Sequence, residues 1–269
     1  MYAVLEISLA NVRRLYDYHL RNLFEANFNL KGFAYPWLIS SHAWKKGEKV
    51  LDVGAAYSPM PIHLQQAYGC EVWCVDDFGL NSAEPFWQRN QSPSEYIAAH
   101  PEIKFVLERL GDQEKSSLPA GTFDTIYSVS ALEHVPYELT PAVWQHMDAL
   151  LKPGGEMLHT IDLPFPSNFG LKGMLKVFIL ESFFPILPRR MKIKHFIVSP
   201  KTYRNIALQA IHVRYKSSKE LSIPNMALNP DILQENYIQG LFRITKDKKE
   251  NHLYFRKGSL LIRLKKGLE

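Results

Sequence analysis

The sequence has little cysteine: its 269 residues include two, Cys70 and Cys74, four positions apart in one apolar run. Two such neighbours cannot build a disulfide framework, and their spacing is not typical of a metal site. The N-terminus shows no charged-then-apolar signal, and the longest apolar run, Met174–Leu187, is interrupted by charged residues and a proline. We therefore expect a cytoplasmic protein, at most peripheral to a membrane, with no metal.

Glycine is scarce where a dinucleotide would require it. In the stretch KVLDVGAAYSPMPIHL, residues 49–64, an apolar strand leads to Gly54, but Ala56 and Ser58 occupy the later positions of a glycine-rich turn. A bound pyrophosphate needs close backbone approach along that whole turn, which argues against NAD. The stretch still starts a helix, because Ser58 can cap it and Pro59 suits the first helical position.

Basic charge is concentrated in the last third of the chain. Residues 165–269 carry 20 Lys and Arg against 7 Asp and Glu, whereas residues 1–164 carry 12 against 20. Parts of opposite charge are expected to meet different partners, although a solvated basic surface has the same composition.

An apolar stretch lies beside a basic cluster in this last third. Residues 168–187 are apolar and helix-like, and basic side chains follow them at Arg189, Arg190, Lys192 and Lys194. The arrangement suggests a cover for an acceptor with an apolar portion and an anionic group, or a contact with an anionic membrane. A core helix beside a solvated face is the alternative.

Hydrophobic periodicity divides the chain into three parts. Helices are predicted over 8–28 and near 35–44, and they form an N-terminal helical cover, residues 1–48. Five apolar strands, each followed by room for a crossover helix, then form a core over 49–164. These strands are Lys49–Val53, Glu71–Val75, Ile103–Leu107, Thr125–Val129 and Glu156–Ile161. The basic remainder, 165–269, is expected to cover the acceptor side and to end in a hairpin near 252–266.

The predicted fold class is α/β, a Rossmann-like and mainly parallel sheet with helices on both faces. Ligands of such sheets bind beyond the carboxyl ends of the strands, where the strand order reverses. Residues at the ends of the predicted strands are therefore the first candidates for a site.

The order of motifs in the core resembles that of a known family. The first strand ends at Asp52, two residues before Gly54, and the second strand, EVWCVDD, reaches Asp76 24 positions after Asp52. LPAGTFDTIYSVSALEHVP and LLKPGGEMLHTIDLP then follow in sequence. This succession resembles the class I S-adenosylmethionine-dependent methyltransferases, and it departs from their first motif at Ala56 and Ser58. The resemblance implies seven strands, with an antiparallel edge strand supplied by the final hairpin.

The same resemblance implies S-adenosylmethionine as the cofactor and assigns roles to individual residues. Asp76, with Asp77 beside it, would accept the ribose hydroxyls, Asp112 would accept from the adenine amino group, and Gln113 would lie beside the ring. Lys152–Gly155 would form a structural turn. The implied cofactor-binding residues are Asp52, Gly54, Ala55, Ala56, Ser58, Asp76, Asp77, Asp112, Gln113 and Ser130.

Methyl transfer to a hydroxyl needs a base, and His134 lies in the turn beyond the fourth strand. Asp162, beyond the fifth strand, could orient that histidine or bind substrate. The alternatives are that His134 only braces its turn and that Asp162 caps a loop. His159 and Cys74 are expected in the core, and helical histidines such as His146 carry no functional signal.

The Asn/Asp-Pro-Pro-aromatic element of relatives that methylate amides or nucleobases is absent. No nucleic-acid partner is therefore expected, and O-methylation of a small-molecule or glycan acceptor, anionic or lipid-linked, is favoured. The pattern suggests surface-glycan or secondary-metabolite biosynthesis, and Tyr35, Trp37, Phe165 and Phe169 as pocket walls. Three alternatives stay open: C-methylation of a quinone-like or lipid acceptor, an NAD-dependent dehydrogenase, and a silent adaptor that binds a membrane or polyanion.

Overall fold

The computed structural model describes residues 1–5, 30–79, 92–136, 138–166, 210–211 and 255–268. The predicted helix over 8–28 and the apolar and basic stretch over 168–194 lie outside these residues. Within the described part of the chain, no helix has the length and hydropathy needed to cross a bilayer.

Four helices and seven strands occur in the described ranges. The helices are α1 (Leu30–Ser41), α2 (Met60–Tyr68), α3 (Pro93–Ala99) and α4 (Thr140–Leu150). The strands are β1 (Tyr2–Val4), β2 (Lys49–Val53), β3 (Glu71–Asp76), β4 (Lys104–Leu107), β5 (Phe123–Val129), β6 (Leu151–Pro166) and β7 (Phe255–Lys266). All five strands predicted for the core are present. Lys49–Val53 has the predicted bounds, and the other four differ from the prediction at one or both ends.

The seven strands form one sheet in the order β1-β7-β6-β5-β2-β3-β4. Strands β2 to β6 pair in parallel, and β7 pairs antiparallel with both β6 and β1. The chain runs outward from β2 to β3 and β4, and then returns to β5 on the other side of β2. The order therefore reverses between β2 and β5, and this is where a ligand crevice is expected. The predicted fold class is confirmed.

Both faces of the sheet are covered, which explains why its strands lack polar alternation. Neighbouring residues of one strand enter different cores: Val50 packs with α1 and α2, and Leu51 packs with α4. The largest fully buried side chains are Trp37 of α1 on the first face and Trp144 of α4 on the second. The predicted burial of Cys74 is confirmed, since it has no exposed surface.

The predicted C-terminal hairpin is wrong. Residues Phe255–Lys266 form a single strand, β7, which pairs along its length with β6 from Glu156 to Pro166. The antiparallel edge strand is the three-residue strand β1 rather than part of the predicted hairpin, and the predicted N-terminal cover therefore begins with a strand. Because β7 pairs with β6 on one side and with β1 on the other, no turn within it is needed to supply a partner strand. The local sequence of β7 does not show these partners.

Two further expectations for the core are corrected. No helix connects β4 to β5, because residues 108–122 form a loop throughout. Lys152–Gly155 is not a turn before a strand but a bulge within β6, since Leu151 pairs with Phe123 and Glu156 with Thr125. β6 also continues to Pro166, two residues past the predicted boundary at 164.

An ionic cluster joins α1 to the sheet at the end opposite the crevice. His42 Nε2 lies 2.8 Å from Glu48 Oε1, and its Nδ1 lies 3.3 Å from Glu156 Oε2. Thr125 donates to the same oxygen of Glu48. Because both ring nitrogens face carboxylates, only the doubly protonated imidazolium donates to both. Burial lowers the pKa of His42, but the two carboxylates outweigh it and the net pKa is raised.

We predict that this cluster stabilises the fold most in mildly acidic solution. The raised pKa of His42 means that its protonated form stabilises the folded state. This stability is complete below about pH 6.5 and is lost as the pH rises above 6.5 through the raised pKa of the folded protein. The lowered pKa of Glu48 gives stability that is lost as pH falls below about 4.5. His42→Gln should therefore reduce the free energy of unfolding by roughly 1–3 kcal/mol near pH 5.5, and by less at pH 8.5. Urea unfolding across pH measures this.

The matched control is His100→Gln, because His100 faces a single carboxylate, Glu102 at 3.6 Å, and both side chains are partly exposed, so this ion pair is weak. Its free energy of unfolding should change little at any of these pH values. A loss for His42→Gln that does not depend on pH would show that the imidazolium is not the stabilising form.

Candidate active site

The turn after β2 touches the turn after β5, at the point where the strand order reverses. Gly54 has a left-handed φ of +73°, and a Cβ built on it would lie 2.5 Å from the Cβ of Ala131. The N–H of Gly54 donates to Val75 O in β3 at 2.9 Å. Glycine is thus required twice, by the backbone conformation and by the neighbouring turn.

We predict that Gly54→Ala lowers the free energy of unfolding by more than the left-handed conformation of residue 54 alone would cost. A non-glycine residue at this φ costs about 1–2 kcal/mol, and the overlap with Ala131 adds to that. Gly47→Ala is the matched control, because Gly47 has a φ of +77° and nothing within 4 Å of the added Cβ. Thermal unfolding should show a larger loss for Gly54→Ala, partly restored by adding Ala131→Gly. Equal losses at the two glycines would contradict the close contact.

The strand-two carboxylate is already part of this turn. Asp76 is 9% exposed, and it accepts from the N–H of Ala56 at 2.8 Å and from that of Phe78 at 2.6 Å. Both donors have left-handed φ, +44° and +48°, so the carboxylate supports two strained turns. Burial raises the pKa of Asp76 despite these hydrogen bonds. Each oxygen keeps lone-pair capacity for a ligand hydroxyl.

An arginine that the motifs did not indicate links the other predicted acidic residues. Arg109 Nη2 lies 2.5 Å from Asp77 Oδ2, and its Nε lies 3.9 Å from Asp112 Oδ2. The structure therefore brings Asp77 and Asp112 to the same edge, beyond β3 and β4. Asp112 and Gln113 are both exposed there. Arg109 lies in a loop, and nothing in the sequence around it marks its partners.

Asp52 is buried beneath the turn. It is 2% exposed, and it lies close enough to Tyr127 to add to the effect of burial, which raises the pKa of that phenol. Ala55 is buried and Ala56 is half-buried. Asp52, Gly54 and Ala55 thus build the floor of the turn.

Aromatic residues hold the end of this turn. The hydroxyl of Tyr35 lies 3.1 Å from Ser58 Oγ, and the hydroxyl of Tyr96 donates to Ser58 O at 3.0 Å. The predicted capping by Ser58 differs slightly: α2 begins at Met60, whose N–H donates to Ser58 Oγ. Of the expected pocket walls, Tyr35 reaches the turn, whereas Trp37 is fully buried in the core.

Tyr96 was missed by the sequence analysis, although the sequence contained a signal for its helix. Ser92 and Glu95 form a reciprocal capping box at the start of α3. That signal identifies the helix but not the residue that reaches the turn. Contact with Ser58 depends on how α3 packs against the sheet.

The turn after β5 carries the remaining candidates. Ser130 has a left-handed φ of +51°, its N–H donates to Thr160 O, and its buried Oγ has no hydrogen-bond partner among the described residues. His134 ends a 3₁₀ turn, Leu132–His134, and its side chain is exposed. Asp162 lies in β6 opposite Ser259, and its side chain is outside what the structure describes.

His159 is buried structure, as the sequence predicted. It has no exposed surface, it lies 2.8 Å from Ser128 Oγ through Nδ1, and its ring packs edge-on against Trp144. Burial lowers the pKa of His159 to about 3, so the imidazole is neutral at physiological pH. In the described ranges, no group of three or more metal-binding side chains is assembled.

A strand order that reverses between β2 and β5, with an acidic residue ending the strand next to the first turn, is the arrangement of class I methyltransferases. A family model described as a methyltransferase domain matches residues 19–221, which is more than half of the chain. The chain belongs to this methyltransferase-domain family. The enzyme class predicted from the motifs is confirmed, and it replaces the dehydrogenase alternative.

Two relatives with known activities match part of the chain. Sterol 24-C-methyltransferase of Pneumocystis carinii (strain B80) is 31% identical over 118 residues, 44% of this chain and 29% of that protein. Sphingolipid C9-methyltransferase of Candida albicans (strain SC5314) is 33% identical over 111 residues, 41% of this chain and 21% of that protein. The matches therefore span less than a third of the length of either relative.

Solved structures support the fold. Phosphoethanolamine N-methyltransferase 2 of Haemonchus contortus is 15% identical with a TM-score of 0.50 in two complexes. The complex with phosphomonomethylethanolamine and S-adenosylhomocysteine covers 86% of this chain and 51% of that chain. The complex with S-adenosylmethionine covers 95% and 60%. The cofactor predicted from the motifs is thus the one bound in a protein of this fold.

Proposed function

We propose that the protein binds S-adenosylmethionine between the turns after β2 and β5 and transfers its methyl group to a lipid or lipid-linked acceptor. The observation that carries the cofactor assignment is the buried Asp76 carboxylate, which anchors the first turn at Ala56 on the ligand side of the sheet. The acceptor class rests on the two relatives that methylate sterols and sphingolipids.

The residues present fit such a cofactor. Gly54 and Ala131 bring two backbone turns together, and the buried Ser130 Oγ beside them has a hydrogen-bonding capacity that no described residue uses. Asp76 would hold the ribose, and Asp112 with Gln113 would border the adenine. The departures from the glycine-rich motif are tolerated, because Ala56 adopts a left-handed conformation that Asp76 supports.

The chemistry then needs few groups from the protein. When bound, S-adenosylmethionine supplies an electrophilic methyl group, and its sulfur keeps the electron pair of the broken bond. His134 would accept the proton of a hydroxyl as its oxygen becomes an ether oxygen. On a carbon–carbon double bond, the same imidazole would accept a proton from the carbon framework after the methyl group has added.

The atom that is methylated divides two candidate functions. The exposed imidazole at the end of the 3₁₀ turn suits a hydroxyl acceptor, so O-methylation remains our first proposal. C-methylation of a lipid is the second, because both curated relatives are named for methylation at carbon. A glycan acceptor is part of the first proposal only if it is lipid-linked.

Incubation with S-adenosylmethionine and candidate acceptors tests the function. Sterols, sphingolipids and lipid-linked glycans would be presented in vesicles, and soluble hydroxyl compounds would be presented in parallel. We expect a lipid product heavier by one methylene group, and fragmentation would place the methyl group on oxygen or carbon. Cofactor binding without any product would support the silent adaptor instead.

Anionic and neutral vesicles in the same assay test the proposed location at a membrane surface. The basic excess of residues 165–269 should make turnover higher on anionic vesicles at low salt, because exposed charges are screened as salt rises. Equal turnover on both vesicle types would contradict an electrostatic contact between the basic region and an anionic membrane.

A further inference from the structure

The loop between β4 and β5 is tightly held although it contains no helix. At its base, Glu108 Oε2 accepts from the N–H of Ser117 at 2.9 Å and from the Ser117 hydroxyl. Leu110 and Leu118 are buried beneath it, whereas the residues at its tip are exposed. Asp112 and Gln113, the residues assigned to the adenine, lie at that tip.

One histidine of α4 contacts the loop on both sides of this pair. His146 Nδ1 accepts from the N–H of Gly111 at 3.2 Å, and its Nε2 donates to the carbonyl of Glu114 at 3.3 Å. The acceptor role of Nδ1 places the ring proton on Nε2, so the neutral imidazole satisfies both contacts. His146 is 8% exposed, and water competes little for either bond.

The shape of the loop agrees with these contacts. Gly111 has a φ of +90°, and a Cβ on it would lie 2.8 Å from Cγ2 of Val143, one turn before His146 on α4. The loop backbone therefore lies directly on the helix. Two backbone bonds to one rigid ring fix the orientation of the two residues between them.

We propose that His146 is a positioning residue for cofactor recognition, which holds Asp112 and Gln113 at the adenine side of the crevice. This rests on the proposed function, since it deepens the assignment of the same site. His146 does not touch the cofactor; it acts through the backbone of Gly111 and Glu114. Arg109, a residue of the same loop, adds a second contact by linking Asp112 to Asp77 beyond β3.

The test compares His146→Leu and His146→Asn with the wild-type protein. Leucine fills the space but removes both bonds, so affinity for S-adenosylmethionine and S-adenosylhomocysteine should fall about 5–30-fold by calorimetry. Asparagine can place its carbonyl oxygen near the Nδ1 position and should restore part of the affinity. Hydrogen exchange at the Gly111 amide should be faster in the leucine variant and slower again in the asparagine variant.

Leu150→Ala is the control for general destabilisation, because Leu150 is buried at the C-terminal end of α4 and its side chain packs in the core without a hydrogen bond to Gly111 or Glu114. It should lower the Tm but leave cofactor affinity unchanged. The proposal is overturned if folded His146→Leu binds as the wild type does, or if Leu150→Ala weakens binding equally. A wild-type protein that binds neither compound would overturn the proposed function as well.

Discussion

His134→Ala is expected to lower the rate of methyl transfer by about 10²–10⁴-fold, while affinity for S-adenosylmethionine stays within about twofold. The turn that carries His134 lies just beyond β5, beside the contact between Gly54 and Ala131. A histidine side chain can accept a proton from an acceptor hydroxyl, which an alanine side chain cannot. Single-turnover rates at saturating cofactor, together with calorimetric titration, separate the two quantities.

The His134→Gln variant distinguishes a catalytic base from a residue that only stabilises its turn. Glutamine keeps much of the size and hydrogen-bonding capacity of histidine but cannot accept the proton, so it should be as slow as the alanine variant. Because the position is exposed, added imidazole should partly restore the alanine variant. Wild-type turnover in either variant would leave His134 with a structural role, and a failure of both to fold would favour the bracing alternative.

The core of the sheet could be predicted because its signals are local. Lys49–Val53 is a strand with the predicted bounds, and Gly69 ends α2 in a left-handed conformation as a glycine should. Burial on both faces makes parallel strands uniformly apolar, and this pattern is visible without knowledge of the partners. Asp52 and Asp76 were assigned from the family resemblance, and the sequence could place them only because they lie in or directly after apolar strands that are visible in it.

The elements that were missed depend on partners far away in the sequence. β1 is three residues long and exists only because β7 offers it an edge. The bulge at Lys152–Gly155 is fixed by the residue that follows β7, since the N–H of Gly154 donates to Gly267 O. Tyr96 and Arg109 likewise gain their roles from packing between separate segments, which no local pattern encodes.

The contacts of Asp76 mean that its removal should affect both the shape of the turn and cofactor binding. The sequence assigned it to the ribose hydroxyls, whereas the structure shows that it first holds the N–H groups of Ala56 and Phe78. A carboxylate with both roles couples the shape of the turn to cofactor binding. Loss of the side chain should therefore affect both.

Asp76→Ala is expected to weaken binding of S-adenosylmethionine by about 1.5–3 kcal/mol, the scale of hydrogen bonds to a charged group. It should also destabilise the fold, because the N–H groups of Ala56 and Phe78 lose their acceptor. Calorimetric titration and urea unfolding measure the two effects. Since burial raises the pKa of Asp76, affinity in the wild type should decline on acidification before an ordinary aspartate would protonate.

Asp76→Asn and Asp77→Asn separate the two adjacent carboxylates. Asp77 accepts from the N–H of Gly79 and pairs with Arg109, so it too is held in place. If Asp76 binds the ribose, its asparagine variant should lose more affinity than that of Asp77, and the acid-induced decline should disappear only in the former. A greater loss of affinity in Asp77→Asn would assign ribose binding to Asp77 and leave Asp76 with only its structural role in the turn.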